Sequence, residues 1–535
     1  MKKLTIPLAL ILFLTLPACS EGFLYAEIPG MAVESPSPTQ PTPTPILLPS
    51  AAPRVSTFGL PMSPVERFQP LEDNLRYNDQ ISRLCYDSLF VPGEKFEPVP
   101  SLCLSAVTED NTAYTLFLRR GVTFHDGSPM TSADVIYSLE LARLPGSPYA
   151  ERLARVAGAA AIDETTMTLT LTAPTFNATA LLDFPVIKQG SAQEQAAPGT
   201  GPYRVVLDAE SPYLLAYDGW WKGAPPAPRR VELVEVLSAD EMLYWFQAGY
   251  ISVVSLDSRD TFAPGLRSGH ETWDYPTGLM CYFGFNLRRA PLDNIEMRRV
   301  LALALDRQTL ASEAYGKLAQ PSALPVPPSS ALFSQPEAAR YSLDLPAAAL
   351  ALEGMGYYDT DGDGVLEREI PRKPPERLAL TMIAASGNIW REKLAGGYAD
   401  ALRGLGFEVT LKLLGRADFD RALAAGDFDV YCAEASPLPS FSPAAFILPG
   451  GAFNKGGLNS PALNELMTAL DAAAYGGRRA ALDAVFCGIY DELPFLTVCF
   501  RSQSLCAQRG VVSVPTPVWG NAFNGWERWQ LTVNN

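Results

Sequence analysis

Residues 118–144 read LRRGVTFHDGSPMTSADVIYSLELARL and set a strand end, a tight turn and a capped helix in immediate succession. Just before and at its start, Tyr114, Leu116 and Leu118 recur at every second position, which predicts a half-buried strand. Asp126-Gly127 supplies the residue types of a sharp turn, since glycine takes positive φ without steric cost. Thr131 with Asp134 three residues on forms a capping box, in which each side chain covers a free amide at a helix start. Val135, Leu139 and Leu144 then give that helix an apolar face. By physics alone this is a strand-turn-helix unit, with His125 and Asp126 read as a turn that determines the fold.

Its wording carries more. Phe124-His125-Asp126-Gly127, followed by Thr131-Ser132-Ala133-Asp134-Val135 and Ser138, resembles the signature of the family 5 extracellular solute-binding proteins, which serve ABC importers of peptides and nickel. Pro198-Gly199-Thr200-Gly201-Pro202-Tyr203 resembles that family's GTGPY turn; no Lys-Ser or Lys-Thr follows it, so a phosphate cradle is disfavoured. Tyr217 to Gly223 is similar to an N-x-x-Y-W-x-G segment, with Asp218 and Trp220 as departures. Phe285-Asn286 and the run from Arg298 to Arg307 also match, so the resemblance covers nearly everything from Val55 onward.

The resemblance implies an α/β, two-lobed periplasmic-binding-protein-like fold of type II, in the large peptide-binding class, with an extra subdomain in lobe 1. The implied boundaries are lobe 1 at 55–90, the inserted subdomain at 91–197, lobe 1 again at 198–284, lobe 2 at 285–493 and a return to lobe 1 at 494–535. Alternating strands and helices in the second lobe predict a mainly parallel sheet. Asn78 or Asp79 is expected to cap a first helix carrying Ile81, Leu84 and Cys85.

At the N-terminus, Lys2 and Lys3 precede an apolar run, Ile6 to Leu16, too short to cross a bilayer. Leu16-Pro17-Ala18-Cys19 follows and resembles a lipobox, which implies a signal peptide at 1–18 and Cys19 as the acylated first residue of the mature chain. Residues 19–54 are too rich in proline, serine and threonine to bury a core and read as an extended tether. The expected location is extracytoplasmic, anchored to the membrane by lipid. The chain has 535 residues, long enough for more than one core, and a formal net charge of −16, which argues against a nucleic-acid partner. Cys85, Cys103, Cys281, Cys432, Cys487, Cys499 and Cys506 show no CxxC spacing and read mainly as small buried side chains, with a Cys499–Cys506 pair left open.

Chemistry is sparse. His125 and His270 are the only histidines, and no HExxH, GxSxG or cysteine-histidine metal spacing occurs, so the chain reads as a binder and not an enzyme, with no cofactor required. Asp359, Asp361 and Asp363 have the alternation of a calcium loop, yet the twelfth position is Ile370 where an EF-hand has glutamate, so a plain turn is the first reading and structural calcium the second. In Tyr431-Cys432-Ala433-Glu434, the resemblance implies a strand offering backbone to a peptide and a carboxylate to its α-ammonium. Tyrosine replaces the usual tryptophan and glutamate the usual aspartate, and nickel-transporting relatives lack an acid there. Asn74, Leu75, Arg76 and Tyr77 would form the facing edge, with Tyr282 and Trp221 as cleft walls. Short peptides are therefore the expected ligand, passed to an ABC permease and its ATPases by a monomeric protein. A metal-chelate or other small-solute binder, or a ligand-sensing signalling lipoprotein, is the alternative.

Overall fold

The computed structural model describes residues 57–532 except 73–74, 208–209, 224–227 and 258–268. The signal peptide, Cys19, the tether and Asn74 lie outside the described residues. Within them, no helix is long and apolar enough to cross a membrane.

The strand-turn-helix unit forms as its residues dictate. Strand Ala113–Leu118 buries Tyr114, Leu116 and Leu118, and helix Ser132–Ala142 starts on the capping box between Thr131 and Asp134. The helix stops at Ala142, so Leu144 ends up exposed and off its apolar face. Gly127 sits at φ +84° in the turn. That turn clasps the GTGPY segment: the His125 amide donates to the Gly199 carbonyl at 2.9 Å, and the Gly199 amide donates to His125 Nδ1 at 3.2 Å. With Nδ1 accepting, Nε2 carries the proton and donates to the Gly201 carbonyl at 3.1 Å. The glycines are needed because the chain lies against the end of helix Arg76–Cys85. A Cβ on Gly199 would stand 2.1 Å from the Cys85 carbonyl oxygen.

This clasp makes the fold sensitive to acid. Burial, with Arg204 nearby, pushes His125 down from 6.5 to about 4. The native state then binds fewer protons than the unfolded chain across that interval, so stability falls as pH drops from about 6.5 and levels off near 4. We expect a loss of about 3 kcal/mol across the window, absent in His125→Asn, when urea midpoints are followed from neutral pH downward.

Two large cores organise the described chain. One joins the sheet Gly59–Met62, Arg230–Glu235, Tyr213–Ala216 and Tyr203–Val206 to the inserted sheet Cys103–Val107, Ala113–Leu118, Thr166–Leu171 and Val156–Asp163. The other belongs to lobe 2 and packs helices such as Ile389–Gly404 on a larger sheet. That sheet runs Val253–Leu256, Phe495–Gln508, His270–Phe285, Val430–Ala435, Ala379–Ala385, Glu408–Leu414. Its two long members, His270–Phe285 and Phe495–Gln508, form an antiparallel ribbon that serves both cores. Tyr275, Leu505 and Ala507 pack in the first core, whereas Met280 to Phe283 and Phe495, Leu496 and Phe500 pack in the second. The pairing slips between Pro276 and Met280, where the ribbon passes from one core to the other.

Two expectations need correction. Only Ala379–Ala385 with its two neighbours is parallel; the ribbon pairs antiparallel with itself and with Val430–Ala435, so the sheet is mixed. The first helix begins at Arg76 after Leu75, because Asn78 is drawn aside to bond both the amide and the carbonyl of Ser63. The seven cysteines at 85 and beyond are free thiols, six of them buried, so Cys499 and Cys506 are not joined.

Candidate solute-binding site

Strand Val430–Ala435 lies between the long strand His270–Phe285 and Ala379–Ala385, and alternation divides its side chains between two faces. Tyr431 turns into the lobe 2 core: it is 2% exposed, its hydroxyl donates to the Phe453 carbonyl at 3.0 Å, and its ring meets Tyr282 edge-on at 5.7 Å. Gly284 makes room, since a Cβ there would lie 2.2 Å from the Tyr431 ring. Tyr282, also buried, packs on Phe446 and Phe495, so both tyrosines serve the core and their side chains do not wall a cleft.

Cys432 and Glu434 take the other face. Cys432 is buried, and burial pushes its thiol well up. Glu434 meets partners the sequence did not announce. Arg391 Nη2 donates to its Oε2 at 3.1 Å, the Tyr315 hydroxyl donates to Oε1 at 3.1 Å, and Arg501 Nη1 stands 3.5 Å from Oε1. Arg391 is placed by the first turn of helix Ile389–Gly404, whose cap Asn388 accepts the amides of Trp390 and Arg391. Arg501, on the ribbon, also pairs with Asp257 at the end of Val253–Leu256. Burial pushes Arg501 down to about 10, still charged at neutral pH. Two carboxylates and two guanidiniums thus form a charge-balanced quartet where the strands of both lobes meet. The Glu434 carboxylate therefore does not stand free: Arg391, Tyr315 and Arg501 all stand on it.

The segment expected to supply the facing backbone edge opens helix Arg76–Cys85. Leu75 is exposed at the helix start, Arg76 donates to the Ser255 carbonyl at 3.0 Å, and Tyr77 is buried in a small core with Met242 and Phe246. Trp221 packs within the first lobe: its Nε1 donates to Asp87 at 2.8 Å and Arg119 lies over its ring at 4.7 Å. The Ser255 carbonyl and Asp87, which Arg76 and Trp221 bond, are not among the partners of Glu434.

Two cavities lie along the seam between lobe 2 and the rest. One of about 300 Å³ is lined by Asp79, Arg83, Tyr149, Arg152, Asp183 and Ser436, the last two residues beyond Glu434. Arg152 Nη1 reaches both Asp183 oxygens at 2.6 and 2.7 Å, and Arg83 keeps a buried Nε with no hydrogen-bond partner. The other, of about 890 Å³, opens between the inserted sheet and lobe 2, past Asn111, Tyr114 and Arg478. Arg478 donates to Asn111 Oδ1 at 2.8 Å across that junction. Sequence reasoning missed Arg83, Arg152, Asp183, Arg391 and Arg501. The i,i+4 spacing of Asp79 and Arg83 was the one local signal; the rest come together from distant segments.

Comparison with known proteins agrees with this architecture. The glutathione-binding protein GsiB of Escherichia coli strain K12 is 25% identical over 289 residues, 49% of this chain and 54% of GsiB. Heme-binding protein A of Haemophilus influenzae is 25% identical over 323 residues, 52% of this chain and 58% of that protein. The chain thus spans about half the length of the curated relatives it matches. Among solved structures, the ABC transporter substrate-binding protein CtaP of Listeria monocytogenes superposes with a TM-score of 0.71 at 20% identity, covering 90% of this chain and all of CtaP. The model of bacterial extracellular solute-binding proteins, family 5, matches residues 97–456, and with the two-lobed fold around the shared ribbon this places the chain in that family.

Proposed function

We propose that the protein captures short peptides, or solutes with the same pairing of ammonium and carboxylate, in the seam between its lobes and delivers them to an ABC permease. In this reading Cys19 carries the lipid that keeps it at the membrane. The observation that carries the proposal is the Glu434 carboxylate, whose side chain keeps 19% exposure at the meeting of the two lobes while held by Arg391 and Arg501. The surrounding quartet is charge-balanced, so a guest with one positive and one negative end leaves it balanced, whereas a lone cation or anion does not. The seam cavities of about 300 and 890 Å³ fall in the size range of small-molecule sites; Glu434 lines neither, and Ser436, two residues beyond it, lines the smaller. A relative named for glutathione, itself a peptide, supports the same class. Closure bends the ribbon near Pro276 to Met280, and a ligand favours the closed state only by its differential affinity for it.

Native mass spectrometry of the purified protein gives the ligand class directly, and titration calorimetry tests the site. Glu434→Gln is expected to weaken free-amine peptides about 10- to 100-fold, the worth of a charge-assisted bond. N-acetylated peptides should bind the parent protein with similar weakness. Equal binding of free and acetylated peptides by the parent would remove Glu434 as the ammonium partner.

A further inference from the structure

Some charges away from Glu434 are satisfied by the protein itself. Asp359, Asp361 and Asp363 close an exposed turn on its own backbone amides, and Arg152 is held by both oxygens of Asp183. Arg478 is placed differently. It opens helix Arg478–Glu492, whose start no side chain caps, so the positive end of the helix dipole adds to its charge. Its guanidinium donates to Asn111 Oδ1 and, from Nε, to the Ala473 carbonyl at 3.4 Å, but among the described residues it pairs with no carboxylate.

Arg478 lines the cavity of about 890 Å³, and so does Tyr114. Tyr114 is 4% exposed, and its hydroxyl is buried with no hydrogen-bond partner, a costly arrangement for a polar group. Burial pushes that hydroxyl up while Arg478 pulls it down, so the guanidinium lies close enough for its charge to be felt there. Asp110, an acid also felt there, is turned to the amides of Thr112 and Ala113. Of the other charged groups lining the cavity, Arg479 is paired with Asp483 at 3.0 Å, and Lys95, Glu97 and Glu109 are exposed. An arginine without an acid and a hydroxyl without a partner are donors that a carboxylate takes.

We propose that Arg478 and Tyr114 receive the C-terminal carboxylate of the guest. This rests on the reading of peptide capture above and adds the guest's length and its far end. The two seam cavities share Phe90, Phe96, Glu97 and Pro98, so a chain that starts near Glu434 and passes Ser436 in the smaller cavity reaches Arg478 through the larger. A round cavity of about 300 Å³ is roughly 8 Å across, which takes two or three extended residues at about 3.5 Å each, so the guest has at least about four residues. Leu104 and Val107, 48% and 55% exposed, line the larger cavity and favour apolar side chains next to that carboxylate.

The test is calorimetry on the whole protein with a pentapeptide ending in two leucines, offered as free acid and as C-terminal amide. The amide is expected to bind about tenfold or more weakly. Arg478→Met should bind acid and amide equally, at the parent's affinity for the amide. Tyr114→Phe should fold at least as stably, since it deletes an unpaired buried hydroxyl, while narrowing the gap between acid and amide. Dipeptides, too short to reach Arg478, should bind the parent and Arg478→Met alike. An undiminished preference for the acid in Arg478→Met, or equal binding of acid and amide by the parent, would overturn the assignment; if N-acetylation still weakens the same peptide, Glu434 keeps its role and only the carboxylate end is lost. Failure of both acid and amide to bind the parent removes the peptide reading itself, and this assignment with it.

Discussion

Arg501→Met is expected to remove about 3–5 kcal/mol from the unfolding free energy, read by denaturant titration. The arginine side chain is 4% exposed and pairs with Asp257, 9% exposed, as well as with Glu434. Methionine fills much of the volume but returns no charge. Glu434 retains Arg391 and Tyr315, so the cost concentrates on Asp257, which is 9% exposed and loses its pair with Arg501. Arg501→Lys should recover only part of the loss, because one ammonium cannot span two carboxylates as Nη1 and Nη2 do. Adding Asp257→Asn to Arg501→Met should restore stability relative to the single variant, and that double-mutant cycle isolates the pair. A methionine variant within about 1 kcal/mol of the parent would show that the quartet does not hold the lobes' junction together.

Gly199→Ala should cost about 3 kcal/mol, the upper part of the range for overpacking. The added methyl would stand 2.1 Å from the Cys85 carbonyl oxygen and 2.5 Å from the Tyr86 ring, and a carbonyl that ends a helix has little freedom to retreat. Any shift also strains the two bonds that His125 makes with Gly199. Gly127→Ala is the control: that residue sits at φ +84° with nothing within 4 Å of a new Cβ, so its cost is the backbone conformation alone, about 1 kcal/mol. If the two variants lose equal stability in the same denaturant series, close packing is not what requires a glycine at 199.

The parts of the fold that were legible are those specified by neighbours in the chain. Thr131 and Asp134 cap one helix by themselves, and Tyr114, Leu116 and Leu118 need only a core to face. The family motifs were legible as words, but their reason was not: His125 exists to join Gly199 and Gly201, and the two segments are far apart in sequence. Glu434 was visible because its strand resembles others, whereas Arg391, Arg501 and Tyr315 reach it from a helix cap, the ribbon and another helix's end. Tyr282 and Trp221 were ambiguous in the sequence for one physical reason. Large aromatics serve a wall or a core equally well, and only the side of the strand or the nearest acceptor decides between them.

The shared ribbon also fixes when this molecule can finish folding. Strand Phe495–Gln508 is made after all three of its partners, yet it is the neighbour that Val253–Leu256, His270–Phe285 and Ala319–Pro321 all require. Val253 must wait for Ala507, and Tyr282 for Thr497. Neither core can therefore be completed on the ribosome before that strand is made, and loop-closure entropy across such separations makes the final step slow. A chain that stays incomplete until that strand emerges is also one that remains threadable, which suits a protein whose family works outside the cell.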